Sequence, residues 1–215
     1  LGDCRAVMGI AETEQHEGGD ESPSKKGSRC TLKAEPLTDD HTPYHAGERQ
    51  RVKRAGGLVM SEDQLSGRAP MHEEWGRASR LRCYTSRRGF SDQPQVWVGD
   101  SLDPDEYGAE AKPISLALTR SIGHRKLQAV GGSAKPDIVV RQLTKADRVL
   151  VVGSHGIFQF MNSKQVIKLI SEFQCPLKAA TAVIDAAHRL RGEFDVGEGM
   201  SDLAISCFFI EDFLR

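Results

Sequence analysis

Two pairs of histidines in this sequence could support metal chemistry. His41 and His45 are four residues apart, and on a helix this spacing would place both imidazoles on one face as zinc ligands. Pro43 lies between them, and proline disrupts the interior of a helix. We therefore expect a loop at residues 41–45 rather than a zinc site.

The second pair is His124 and His155, which lie in the stretches Ser115–His124 and Val149–Gly156. Neutral imidazole suits zinc or nickel better than magnesium. Two interpretations stay open, a transition-metal site or ordinary side chains, and the second is the commoner case. The neighbouring Ser154 does not indicate a hydrolase nucleophile, because there is no G-x-S-x-G motif and adjacent strand residues point to opposite faces.

The composition is that of a packed domain with long polar loops. The chain has 215 residues, 39% hydrophobic and 27% charged, and its mean hydropathy is -0.42. The net charge of -1 argues against general electrostatic attraction to nucleic acid or to a membrane surface. No run of 18 apolar residues is present to span a bilayer. We therefore expect neither nucleic acid nor membrane as a partner.

The five cysteines indicate the cellular compartment. Their number is odd and no two have C-x-x-C spacing, which argues against structural zinc and against a complete disulfide framework. Reduced thiols are typical of the cytoplasm or the nucleus, where we expect this protein to be.

The pattern of apolar residues predicts an antiparallel α+β domain. Alternating or β-branched runs predict strands at residues 2–10, 31–34, 58–60, 95–98, 138–140, 149–152 and 204–210. A short helix is predicted at residues 48–55, and two longer helices follow later in the chain. Ser163 is the predicted cap of the first of these, and Pro176 opens the second. We expect the last helix to pack through Leu177, Ala180, Ile184 and Ala187.

Residues 61–94 interrupt this pattern and are predicted to be a polar insertion. They include a group of arginines, namely Arg77, Arg80, Arg82, Arg87 and Arg88. A solvated loop is the commoner meaning of such a charge run, and a docking patch for an acidic or phosphorylated partner is the alternative. Trp75 within the insertion and Trp97 after it are expected to be packing residues.

Several segments, taken in order, resemble successive motifs of the metal-dependent protein phosphatases of type 2C. Ser115–His124 is similar to that family's L-A-x-(S/T)-R-(A/S)-x-G-D motif, and Val149–Gly156 is similar to the segment that contains its L-A-S-D-G motif. The other similar segments are Leu1–Met8, Leu37–Pro43, Glu48–Arg49, Ala55–Gly57, Pro136–Ile138, Ala179–Arg191 and Ser201–Ile205. Residues 1–215 are therefore expected to be one type 2C phosphatase-like domain with an insertion at about 61–94.

The resemblance implies a fold and a chemistry. The fold would be an antiparallel β-sandwich flanked by helices in four layers (α-β-β-α). The chain opens with Leu1 inside a strand-like run, so we expect the fold to be incomplete at the N-terminus, with exposed sheet edges that favour partner binding or aggregation. In the family, carboxylates hold paired manganese or magnesium ions, and a bridging water attacks a phosphoserine or phosphothreonine.

The metal-binding part of the resemblance is degraded in this sequence. Asp3 matches an aspartate associated with a third, weaker metal site. His155 replaces the aspartate of S-D-G, and His124 replaces the last aspartate of its own motif. Ser201 occupies the position of the late metal aspartate, with Asp202 one residue away.

Other parts of the family's site have no counterpart in the 215 residues. These are the D-G-H-G-G motif and the arginine that grips the substrate phosphate. Gln159 also replaces an acidic residue, and it follows Phe158 where the family has tryptophan.

We therefore predict a pseudophosphatase or fragment, without catalytic residues, that acts as a binding or regulatory module for a phosphoprotein or regulatory protein. Asp3, His155 and Asp202 are the candidate metal ligands, and we expect manganese or magnesium to bind poorly. The alternative is an active serine/threonine phosphatase whose remaining site residues lie upstream of Leu1.

Overall fold

The structure, a computed structural model, describes residues 1–12, 31–75, 92–98, 114–193 and 202–210. The chain divides into two compact units. The first contains Leu1–Asp3 and Asp39–Ile138, and the second contains Cys4–Thr38 and Val139–Arg215. The predicted group of arginines, Arg77 to Arg88, lies outside the described residues.

The second unit is built on a four-stranded antiparallel sheet in the order β2-β1-β6-β7. Its strands are β1 (Arg5–Ala11), β2 (Leu32–Pro36), β6 (Asp147–Gly153) and β7 (Ile205–Phe209). Val7 pairs with Val151 across β1 and β6, and Val151 pairs with Cys207 across β6 and β7. Val7 and Val151 are fully buried and Cys207 is half-buried, so these three strands contribute one apolar row to the core of the unit.

Helices cover that row within the second unit. They are α4 (His155–Phe160), α5 (Ser163–Ile170) and α6 (Pro176–Glu193). Val166, Ile167 and Val183 are fully buried against the sheet in the core of this unit. Gly9 makes this close packing feasible, since a Cβ on it would lie 2.6 Å from Val149 Cγ1 and 3.2 Å from Ile167 Cγ2.

Two details of the helix predictions are wrong. Asn162, not Ser163, is the N-cap of α5, and it exchanges hydrogen bonds with Gln165 in a capping box. In α6 the predicted contact residue Leu177 is 75% exposed, whereas Ala179 and Val183 are fully buried. Apolar residues surround much of α6, so packing against the sheet decides which arc is buried.

Cys175 precedes α6 and should be the most reactive of the described thiols. It is exposed, and hydrogen bonds from the backbone N–H groups of Lys178 and Leu177 lower its pKa. Burial raises the pKa of the Cys207 thiol to about 11, so Cys207 should stay protonated at neutral pH. Thiolate is the reactive form, and we expect iodoacetamide to alkylate Cys175 before Cys207 and before the exposed Cys4.

Peptide mass mapping of a variant with Cys30 and Cys83 changed to serine would measure the three alkylation rates against pH. At pH 7 the rate at Cys175 should be the highest of the three. A rate at Cys4 or Cys207 that equals or exceeds the rate at Cys175 would contradict the prediction.

The first unit contains a three-stranded antiparallel sheet in the order β3-β4-β5. Its elements are α1 (Ala46–Arg54), β3 (Leu58–Met60), α2 (Glu62–Leu65), β4 (Gln95–Val98), β5 (Ile114–Leu116) and α3 (Arg125–Ala129). Val52 of α1, Val96 of β4 and Leu127 of α3 are among its buried core residues.

Residues 61–75, the first part of the predicted insertion, are held by specific contacts. Ser61 and Gln64 form a capping box on α2, and Gln64 Nε2 donates to the carbonyls of Pro70 and His72. Trp75 is 5% exposed and packs in the core of the first unit. The expected packing role of the tryptophans is confirmed, since Trp97 is also buried. Residues 61–75 thus combine a short helix and a buried tryptophan with mostly exposed residues, while residues 76–91 lie outside the described part.

Ile138–Val140 is not the buried strand that its β-branched residues predict. No helix, strand, turn or bend occurs from residue 134 to residue 144. Ile138, Val139 and Val140 are 81%, 59% and 91% exposed. Propensity alone does not make a strand, because a strand also needs a neighbour that pairs with it.

The predicted α+β class with antiparallel sheets flanked by helices is confirmed. Among the described residues, none of the helices combines the length and the apolar character needed to cross a membrane.

Candidate functional site

The three predicted metal ligands belong to different units. Asp3 lies in the first unit, in the turn before β1, and is 8% exposed. The neighbouring Gly2 has a φ of 72°, and its carbonyl accepts a 2.7 Å hydrogen bond from the His41 N–H. His155 and Asp202 belong to the second unit.

In the second unit, the segments that carry His155 and Asp202 lie side by side. His155 is the first residue of α4, directly after Ser154, and Asp202 is exposed. Ser154 Oγ donates to the Asp202 carbonyl at 2.9 Å and accepts from Ala204 N–H at 3.0 Å. These bonds extend the pairing of β6 with β7 past its last register pair, Gly153 with Ile205.

Ser154 has a structural role in this arrangement. It is the N-cap residue of α4 rather than part of a strand, so the expected reason for excluding it as a nucleophile, opposite faces of a strand, is wrong. Its hydroxyl is held instead by two backbone groups. The position of Ser201 lies outside the described residues.

The donors described here do not match a pair of hard divalent cations. Magnesium and manganese prefer oxygen ligands, whereas the predicted ligands of the second unit are one imidazole and one exposed carboxylate. Within either unit, the described residues form no group of three or more His, Cys, Asp or Glu side chains able to hold a metal ion.

His124 acts as a helix cap. It is the N-cap residue of α3, and its Nδ1 accepts a 3.2 Å hydrogen bond from Leu127 N–H. Aspartate is among the best N-cap residues, so histidine here performs a task that aspartate also performs. The interpretation of His124 as an ordinary side chain is the one that its contacts support.

The cap can be tested by substitution. Because the cap satisfies one otherwise unpaired N–H, His124→Ala should lower the free energy of unfolding by about 0.5–1 kcal/mol. His124→Asp should retain or raise stability, since a carboxylate also interacts favourably with the helix N-terminus. Urea denaturation measures both values, and equal losses for alanine and aspartate would contradict the capping role.

A buried carboxylate, Glu48, organises the polar part of the first unit. Glu48 is 8% exposed. Its Oε1 accepts 2.7 Å hydrogen bonds from Nη1 of Arg51 and Nη2 of Arg120. Its Oε2 accepts a 2.6 Å hydrogen bond from Thr119 Oγ1. Two arginines and one hydroxyl thus surround a single carboxylate.

Arg120 extends this network to Asp137 and His41. Arg120 Nη1 donates to Asp137 Oδ1 at 2.6 Å, and His41 Nε2 lies 2.8 Å from Asp137 Oδ2. His45 is separate from this contact, at the N-cap position of α1. The zinc interpretation of His41 and His45 therefore has no support in their contacts.

The interactions in this network shift the pKa values of Glu48, Arg120 and Asp137 so that the charged form of each is favoured. Burial alone would raise the pKa of Glu48, but hydrogen bonds from Arg120, Arg51 and Thr119 lower it to about 2. The hydrogen bond to Glu48 raises the pKa of Arg120. Hydrogen bonds from His41 and then Arg120 lower the pKa of Asp137. All these groups favour the ion-paired state, which is typical of a structural network rather than of an acid–base pair.

Family membership follows from comparison of the whole chain with known proteins. A family model described as "Protein phosphatase 2C" matches residues 1–192. The chain belongs to the protein phosphatase 2C family.

Similar proteins agree with this assignment. "Probable protein phosphatase 2C 35" of Arabidopsis thaliana is 27% identical over 191 residues, which cover 88% of this chain and 45% of that protein. "Probable protein phosphatase 2C 12" of rice, Oryza sativa subsp. japonica, is 25% identical over 216 residues, covering 99% and 42%. This chain thus spans less than half the length of these two relatives.

A solved structure agrees at the level of the fold. The serine-threonine phosphatase 2C of Toxoplasma gondii aligns with a TM-score of 0.63 at 21% identity, covering 96% of this chain and 51% of that one. At this identity the likeness concerns the fold alone.

In this phosphatase 2C domain, the sequence identified the motifs but not the hydrogen bonds and ion pairs that connect them. Arg120 lies within the motif Ser115–His124, and it forms ion pairs with Glu48 and Asp137. The roles of Glu48, Thr119 and Asp137 were missed. Glu48 and Arg51 have the i,i+3 spacing of a helical ion pair, which is the one local signal for this network.

Proposed function

We propose that this phosphatase 2C domain is a non-catalytic binding or regulatory module for a phosphoprotein or regulatory protein. The observation that carries the proposal is His155, which stands where the family's S-D-G motif has aspartate. Replacing a carboxylate by a neutral imidazole removes a negative charge that two adjacent divalent cations require. Weak binding of manganese and magnesium follows.

The contacts of His124 and of Ser154, the residue before His155, support the same proposal. The His124 imidazole is engaged by the N–H of Leu127, and the Ser154 hydroxyl is engaged by backbone groups of residues 202 and 204. These contacts stabilise the domain without a metal ion. The buried Glu48 network also needs no metal, since its charges are compensated by arginines. The fold can therefore remain stable although metal ligands of the family have been replaced.

As part of this proposal we place the protein in the cytoplasm or the nucleus. Cys4, Cys175 and Cys207 are free thiols in the structure. Free thiols persist in reducing compartments. Fractionation of cells that make the protein would test the location independently of any activity.

Turnover and metal binding test the central proposal together. We expect no hydrolysis of p-nitrophenyl phosphate or of a phosphothreonine peptide above the protein-free rate with manganese, magnesium or zinc. Isothermal titration with manganese should show no saturable binding in the range typical of a catalytic ion. His155→Ala should leave both results unchanged.

A matched control distinguishes the loss of His155 itself from the loss of any exposed imidazole. His188 is an exposed histidine on α6 of the same unit, so His188→Ala reports the effect of losing a surface imidazole. Metal-dependent turnover that His155→Ala abolishes and His188→Ala retains would overturn the proposal. That result would favour the alternative function, an active metal-dependent serine/threonine phosphatase.

A further inference from the structure

We draw no further inference here: the strongest candidate, the exposed Cys175 thiol beside the first turn of α6, is a single cysteine at a helix N-terminus, and nothing among the described residues points to a ligand for it.

Discussion

Glu48→Gln is expected to lower the free energy of unfolding by about 3 kcal/mol at neutral pH, because it leaves two arginines without their shared carboxylate. Glu48 is buried and accepts hydrogen bonds from Arg51, Arg120 and Thr119. Glutamine preserves the shape of the side chain but not its charge. The lower free energy of unfolding would therefore result from the uncompensated guanidinium groups rather than from a cavity.

The same interaction should depend on pH in a defined direction. The pKa of Glu48 falls from an ordinary value of 4.5 to about 2 in the folded protein. A carboxyl group with a depressed folded pKa contributes stability that is present above its unfolded pKa and is lost as pH falls through its folded pKa. The shift from 4.5 to about 2 corresponds to about 3 kcal/mol, lost between pH 4.5 and pH 2.

Urea denaturation of the wild type and of Glu48→Gln, measured from pH 6 to pH 2.5, tests both statements. The two free energies of unfolding should converge as pH falls. Glu73→Gln is the matched control. Glu73 also forms an ion pair with a basic residue of α1, Lys53, but Glu73 is exposed. Exposed ion pairs contribute little to stability, and an equal loss for both variants would contradict the assigned role of Glu48.

Local patterns in the sequence predicted the strands that have two pairing neighbours or one buried face. Alternation placed Leu203, Ile205, Cys207 and Phe209 on one side of the last strand, and all four pack against the core of the second unit. The strand at residues 149–152 was predicted from its run of β-branched residues. The structure keeps the alternation of the last strand, because a shift of its register by one residue would expose every apolar side chain.

The predictions failed where tertiary contacts decide the outcome. Ile138–Val140 has the composition of a strand but no pairing partner among the described residues, so it stays unpaired. In α6 the apolar arc is wide enough for more than one buried stripe, and packing selected Ala179 and Val183. The Glu48–Arg120 ion pair joins residues 72 apart in sequence, and no periodic pattern reports contacts at that distance.

Gly131→Ala is the second substitution expected to have a large effect, a loss of about 3 kcal/mol or more, because backbone strain and a steric clash combine there. Gly131 has a φ of 90°, which L side chains rarely adopt. A Cβ at this position would lie 2.7 Å from Ala55 Cβ and 2.9 Å from Val52 Cα. The second contact is with helix backbone, which cannot move away as a flexible side chain can.

Gly56→Ala separates these two causes. Gly56 has a φ of 85°, but a Cβ there would meet nothing within 4 Å. It should therefore cost only about 1 kcal/mol, the cost of the left-handed conformation. Thermal or urea denaturation would measure both variants, and equal losses would show that the clash at Gly131 is relieved by small movements.

The Gly131 substitution should also weaken the Glu48 network. Arg51 Nε donates to the Gly131 carbonyl at 3.0 Å while its Nη1 binds Glu48, so displacement of this turn moves one of the arginines that stabilise the carboxylate. Energies of residues that share a partner are not additive. In a double-mutant cycle, Glu48→Gln should cost less in the Gly131→Ala background than in the wild type. In the Gly56→Ala background it should cost the same as in the wild type, and a reduced cost there would assign the coupling to general destabilisation instead.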